Sequence, residues 1–131
     1  MALRIRLAPG EQLVVNGAVL QNGDRRNVIS IMNPASVLRG RDVMKEEEAV
    51  TPVSQAYFLV QSVLIASGAD RAGVRSEVLE ALASIAAAAA TEEERGLAIE
   101  AASQFSSDDY YKSLAALRAM LPIEATRLQG A

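Results

Sequence analysis

Lys45-Glu46-Glu47-Glu48-Ala49-Val50-Thr51-Pro52 is the stretch on which the chain changes its period. Before it, apolar residues alternate with polar ones, as in half-buried strands. After it they recur every three or four positions, as on one face of a helix. Thr51 can cap a helix, and Pro52 suits its first turn because the N–H that proline lacks would find no partner there. The reading is therefore α+β: a small N-terminal antiparallel β module of about five short strands over residues 1–48, followed by a C-terminal α-helical bundle over residues 49–131.

Upstream of Lys45, Leu3, Ile5 and Leu7 alternate with Arg4 and Arg6, giving a strand with a basic outer face. Pro9-Gly10-Glu11 reads as a turn and Leu13-Val14-Val15 as a second strand. Asn16-Gly17 is a hairpin signal, since both central residues of a tight hairpin turn need positive φ. Ala18-Val19-Leu20-Gln21 makes a third strand, ended by Asn22-Gly23-Asp24, read as a second turn of the same type. Val28, Ile29 and Ile31 mark a fourth strand, closed by Asn33-Pro34, and Val37-Leu38-Arg39 a fifth. Strands this short with tight turns predict a small sheet or barrel. Its core is marginal by itself and wants a partner.

Downstream, Ala56, Leu59, Val60, Val63 and Leu64 fall at helical spacing, with Gly68 ending the run. Asp70 can cap a second helix carrying Val74, Val78, Leu79, Leu82 and Ile85, which runs into Ala86–Ala90. That alanine run reads either as strong helix propensity or as a close-packed interface with another chain. Thr91-Glu92-Glu93-Glu94 has the form of a capping box, each side chain satisfying the other's backbone donor. Leu97, Ala98, Ala101, Ala102 and Phe105 line a third helix. Ser106-Ser107-Asp108-Asp109 opens a fourth, with Tyr110, Leu114, Leu117 and Leu121 on one face. Pro122 is expected to stop it, leaving the tail from Glu124 frayed.

In 131 residues, half of them hydrophobic and 22% charged, there is room for one compact domain or two packed modules. The chain has neither cysteine nor histidine, which excludes disulfides, thiol nucleophiles, the usual zinc sites and His-based triads. Glu46-Glu47-Glu48 and Asp108-Asp109 are runs of carboxylates, but adjacent residues on a helix do not converge on one point. Catalysis is rejected on that ground, and no cofactor or metal is expected. Residues 49–69 lack charge but hold Thr51, Pro52, Gln55, Gln61 and three serines, too polar for a spanning helix. The alternating N-terminus is unlike an export signal, so the expected location is the cytoplasm.

Charge divides unevenly. Residues 1–45 carry seven basic side chains against three acidic ones, a net +4, and residues 46–131 carry six against thirteen, a net −7. Six of the seven are arginines, the side chain that pairs with phosphate bidentately and stacks on bases. Electrostatic binding of nucleic acid needs such a module, although a solvated strand surface with ordinary charges reads the same way. No aromatic falls within residues 1–45 to stack on a base.

Leu3-Arg4-Ile5, Leu7-Ala8-Pro9-Gly10-Glu11, Val15-Asn16-Gly17-Ala18-Val19, Asn22-Gly23-Asp24-Arg25-Arg26 and Ala35-Ser36-Val37-Leu38-Arg39, in this order within 40 residues, resemble the FlbT family of bacterial flagellar biosynthesis regulators. The likeness is dense over the strand-rich part and thin in the first helix. It implies a cytoplasmic post-transcriptional regulator of flagellin acting on the 5′ leader of flagellin messenger RNA. A weaker resemblance of the N-terminal module is to the carbon storage regulator family, interlocked β dimers that clamp GGA-containing RNA loops. It rests on Gly10-Glu11, Val28 to Asn33 and Val37 to Asp42. Arg41 falls in register with that family's binding arginine. Gly40 replaces its histidine, and Leu7 stands where its first-strand arginine would, with Arg6 one place earlier on the other face. GGA specificity does not carry over.

The candidate RNA ligands are therefore Arg4, Arg6, Arg39, Arg41, Arg25 and Arg26. Arg39 and Arg41 are expected two apart on one strand face, unless they merely pair with Asp24, Asp42 or Glu46–Glu48. Tyr57 and Phe58, beside the Ala-rich faces, are candidate anchors for a protein partner, such as flagellin or another flagellar regulator, with Phe105 in the core. The competing reading is an adaptor or chaperone-like factor in flagellin assembly whose effect on messenger RNA is indirect. A homodimer or larger homo-oligomer is expected, because the small sheet lacks core and its edges would stay open.

Overall fold

The computed structural model describes residues 3–65 and 70–130. Among them lie β1 (Leu3–Leu7), β2 (Gln12–Val15), β3 (Ala18–Gln21), β4 (Asn27–Ile31) and β5 (Val37–Arg39), then α1 (Pro52–Ile65), α2 (Asp70–Ala87), α3 (Glu92–Ser106) and α4 (Tyr110–Gly130). Single 3-10 turns at Gly40–Asp42 and Glu46–Glu48 join the halves. The architecture is the expected α+β one, five antiparallel strands before four helices. The expected end of α1 at Gly68 lies outside the described residues, and the side chain of Asp70 is likewise undescribed.

The strands form two sheets rather than one. β1 pairs with β4, and the second sheet runs β3-β2-β5, all antiparallel. Asn16 and Gly17 take φ of 50° and 84°, so the β2–β3 hairpin turns as its sequence demands, with Val15 opposite Ala18. Asn22-Gly23 does not repeat it. β3 and β4 are not paired, because the Asn22 side-chain amide donates to the Leu7, Ala8 and Arg25 carbonyls at 3.2, 2.8 and 2.8 Å and folds the loop against the end of β1.

Sequence alternation places the core. Ile5 and Leu7 of β1 meet Leu13 and Val37, with Val15, Ile29 and Ile31 around them, in a small cluster between the sheets. On the opposite face of β2 and β5, Val14 and Leu38 join the helical core. β2 and β5 are thus covered on both sides, while β3 stays exposed, and the missing partner of the β module is the chain's own helices. Core size therefore no longer calls for a second copy.

In the helical half, α4 and α2 each pack against both α1 and α3. Val60, Leu64, Val78, Leu82, Phe105, Leu114 and Leu117 are buried at the centre. Ala98 and Ala101 let α4 approach α3 closely enough for Ser113 Oγ to donate to the Ala101 carbonyl at 2.8 Å. α2 stops at Ala87, inside the alanine run, because the chain must reverse for α3 to pack back on it.

α4 does not stop at Pro122. It continues to Gly130, with Glu124 buried rather than frayed. The Glu124 carboxylate accepts from Val53 N–H at 3.1 Å and from the Thr51 hydroxyl, supplying negative charge to the N-terminus of α1. One turn further, Arg127 pairs with the buried Glu94. These tertiary anchors outweigh the hydrogen bond that proline forfeits. They also alter the capping box: Thr91 Oγ1 accepts from Glu94 N–H at 3.1 Å, while the Glu94 carboxylate faces Arg127 and the Thr91 hydroxyl.

Candidate nucleic-acid interface

With Ile5 and Leu7 turned inward, period two puts Arg4 and Arg6 on the exposed face of β1. Arg6 lies opposite Val28, so the start of β4 brings Arg26 and Asn27 to the same end of the sheet. β5 ends at Arg39, and the following 3-10 turn carries Arg41. Gly40 makes that turn possible: a Cβ there would stand 2.8 Å from Gln12 Cβ. Arg41 is therefore not on the strand with Arg39, and the strand-face argument for the pair does not hold.

The fold nevertheless gathers Arg6, Arg26, Arg39 and Arg41 around one open cleft of about 600 Å³, with Glu11 its carboxylate. Arg4 lines a neighbouring groove, and Arg25 is exposed beside Arg26. Among the described residues, Arg4, Arg6, Arg25, Arg26 and Arg41 take part in no ion pair.

Arg39 differs. Its Nη1 lies 2.9 Å from Glu11 Oε2 and donates to the Arg6 carbonyl at 3.0 Å. Its partner is none of the acids expected from sequence. Glu11 also accepts from Ala8 N–H at 2.9 Å. That backbone donor first, and Arg39 second, hold its carboxyl below the ordinary 4.5. The cleft thus contains one satisfied ion pair and three further guanidinium groups, an arrangement that attracts phosphate oxygens.

Tyr57 is a core residue, only 2% exposed, and cannot serve as a surface anchor. Helical spacing turns it inward, where its hydroxyl donates to the Asp42 carbonyl at 2.5 Å and accepts from Arg118 Nη2 at 3.3 Å. Burial pushes its hydroxyl pKa up. Phe58 is half-buried and Phe105 fully buried. Asp42 faces Arg118 at 3.6 Å, tying the turn after β5 to α4. Gln61 holds the same linker, accepting from Met44 N–H and donating to the Met44 carbonyl. Sequence reasoning missed both clasps, because nothing in linear order joins residues 42 and 118.

The Asp108-Asp109 run has structural tasks. Asp108 pairs with Arg75 at 2.7 Å, and Asp109 accepts from Lys112 N–H at the start of α4. Among the described residues no group of carboxylates gathers to hold a metal ion, and no helix is long and apolar enough to cross a membrane.

Fold and cleft together define a small α+β protein with an arginine-lined cleft on its β module. A family model described as flagellar protein FlbT matches residues 3–128. The chain belongs to the FlbT family. It is 51% identical over 65 residues to the "Probable flagellum biosynthesis repressor protein FlbT" of Caulobacter sp. (strain K31), which covers 50% of this chain and 50% of that protein. The protein of the same printed name from Mesorhizobium japonicum is 33% identical over 130 residues, 98% of this chain and 86% of that one. That of Chelativorans sp. (strain BNC1) is 34% identical over 122 residues, 92% and 82% of the two chains. The matched segment spans about half the length of the Caulobacter relatives. No solved structure matches the chain.

Proposed function

We propose that this chain represses flagellum biosynthesis after transcription, by binding the 5′ leader of flagellin messenger RNA in the cleft of Arg6, Arg26 and Arg41, with Arg4 and Arg25 extending the positive surface. The observation that carries this reading is the convergence of arginines from β1, the start of β4 and the turn after β5 on one cleft. The printed names of the relatives supply the regulatory role. Residues 1–48 supply the RNA ligands. Residues 49–131 cover the sheet and offer the surface for a protein partner or a second copy, and the protein acts in the cytoplasm.

The test uses purified protein free of nucleic acid, titrated with a flagellin leader RNA at two salt concentrations. Arg26→Ala/Arg41→Ala is the informative variant, because Arg39 is engaged in holding the sheets together. Each lost phosphate contact should flatten the single-strand salt slope by about 0.7, so the double variant should lose about 1.4 and bind more weakly. A folded variant with unchanged affinity and slope overturns the cleft as the RNA site, and leaves a protein adaptor as the better account.

A further inference from the structure

The RNA reading lacks one component in its own module: no aromatic falls within residues 1–45. Proteins that hold single strands pair a cationic track with aromatic rings on which unpaired bases stack. The fold supplies that ring from a distant part of the chain. Tyr111, on the first turn of α4, is 51% exposed and lines a groove of about 450 Å³ with Leu3 and Arg4 of β1, Arg39 of β5 and Lys112. Ile5 and Val37, buried between the sheets, reach its floor.

The groove combines apolar, aromatic and cationic lining, the set that a nucleotide calls on and a simple anion does not. Its floor is aliphatic, one wall is a half-exposed aromatic ring, and Arg4 projects into solvent at its rim. Its volume lies within the range of clefts that take small ligands. The groove also holds a carboxylate, Asp109, which accepts from Lys112 N–H at 3.1 Å and faces Lys112 Nζ at 3.9 Å. The Lys112 charge is thereby offset, and Arg4 is the cation open to a phosphate. Arg39 lines both this groove and the arginine cleft, so the two adjoin at its side chain. Arg4 and Arg6 lie two residues apart on one strand face, about 7 Å, one at each surface.

The geometry points to Tyr111 as the stacking platform for an unpaired base of a single-stranded RNA, with Arg4 on the adjoining phosphate and the strand continuing into the arginine cleft. This assignment rests on the RNA-binding reading and adds to it a residue on the helical half. The α4 start then serves RNA recognition, and loop RNA is preferred over a duplex because only an unpaired base can reach the ring.

The experiment separates the two ideas. Wild type, Tyr111→Leu, Tyr111→Phe and Arg4→Ala are titrated with a leader-derived single-stranded RNA and its fully paired duplex at two salt concentrations, with folding verified by circular dichroism. Tyr111→Leu should bind the single strand about 5- to 150-fold more weakly, with its salt slope unchanged. Tyr111→Phe keeps the ring and should bind like wild type. Arg4→Ala should flatten the slope by about 0.7. Wild-type binding with a steep salt slope, unaltered in Tyr111→Leu, overturns the stacking site and leaves the arginine cleft standing. Wild type that binds neither RNA overturns both. If Tyr111→Leu binds RNA normally but loses binding to purified flagellin, the groove is a protein site and the assignment fails.

Discussion

Arg39 and Glu11 form the clasp between the two sheets: Nη1 of the arginine lies 2.9 Å from Oε2 of the glutamate and donates to the Arg6 carbonyl as well. One guanidinium thus ties the end of β5 to the β1 backbone and to the turn that follows it. Arg39→Ala should lower the urea midpoint measurably, whereas Arg41→Ala, in no ion pair among the described residues, should leave it within error. Equal midpoints for the two variants would refute the structural role of Arg39.

Glu11 makes this clasp sensitive to acid. Its carboxyl is held below 4.5 in the folded chain, by Ala8 N–H and then Arg39, so folding favours the ionised form. The stability it adds is present above pH 4.5 and is lost as the pH falls through its lowered folded value. Wild type should therefore exceed Glu11→Gln in stability at pH 7, and the gap should shrink by pH 3. A gap that is constant across this range in paired urea titrations contradicts the assignment.

Glu124 sits against the N-terminus of α1, accepting from Val53 N–H and the Thr51 hydroxyl in a buried site. Glu124→Ala removes the acceptor and leaves those donors without it, a loss of about 2 kcal/mol. Glu124→Gln keeps one acceptor oxygen and should lose less. Chemical denaturation of both variants gives the ranking, and the reverse order would remove the carboxylate's role.

Pro122 lies inside α4, where it offers no N–H to the Arg118 carbonyl four residues back. The helix continues past it, so alanine fits the same backbone. Pro122→Ala should stabilise the protein by up to about 3 kcal/mol, seen as a raised thermal midpoint. A lowered midpoint would mean that the ring packs in a way its missing hydrogen bond does not outweigh.

Gly17 combines φ of 84° with a close approach: a Cβ there would lie 2.8 Å from the Ile65 carbonyl oxygen. Gly17→Ala meets both the strained backbone and the end of α1, and should cost about 1–3 kcal/mol. Gly10→Ala, at φ of 72° in open space, should cost less. The same denaturation series compares them, and equal losses would show that the contact with α1 is immaterial.

Local order along the chain was enough to determine the element types. The alternation of Leu3, Ile5 and Leu7, the positive φ demanded by Asn16-Gly17, and the helical spacing from Thr51 onward all rest on interactions within a few residues, and the five strands and four helices follow in the expected order, with α4 running past its expected stop. The FlbT likeness was legible too, because the pieces that carry it stand in order within 40 residues of this chain. Contacts between distant residues were decided only by the tertiary structure. Asn22 had the sequence of a hairpin turn, yet its amide found the carbonyls of Leu7 and Ala8. Pro122 had the form of a helix stop, yet Glu124 and Arg127 beyond it were held by Val53 and Glu94. Tyr57 and Tyr111 both lie on helices, but the packing of α4 against α1 and beside the strands buries the first and leaves the second half-exposed next to Arg4 and Arg39. The physical reason is the same in each case. Periodicity reports which face of an element is apolar, whereas a polar side chain's partner depends on which elements that face brings into contact.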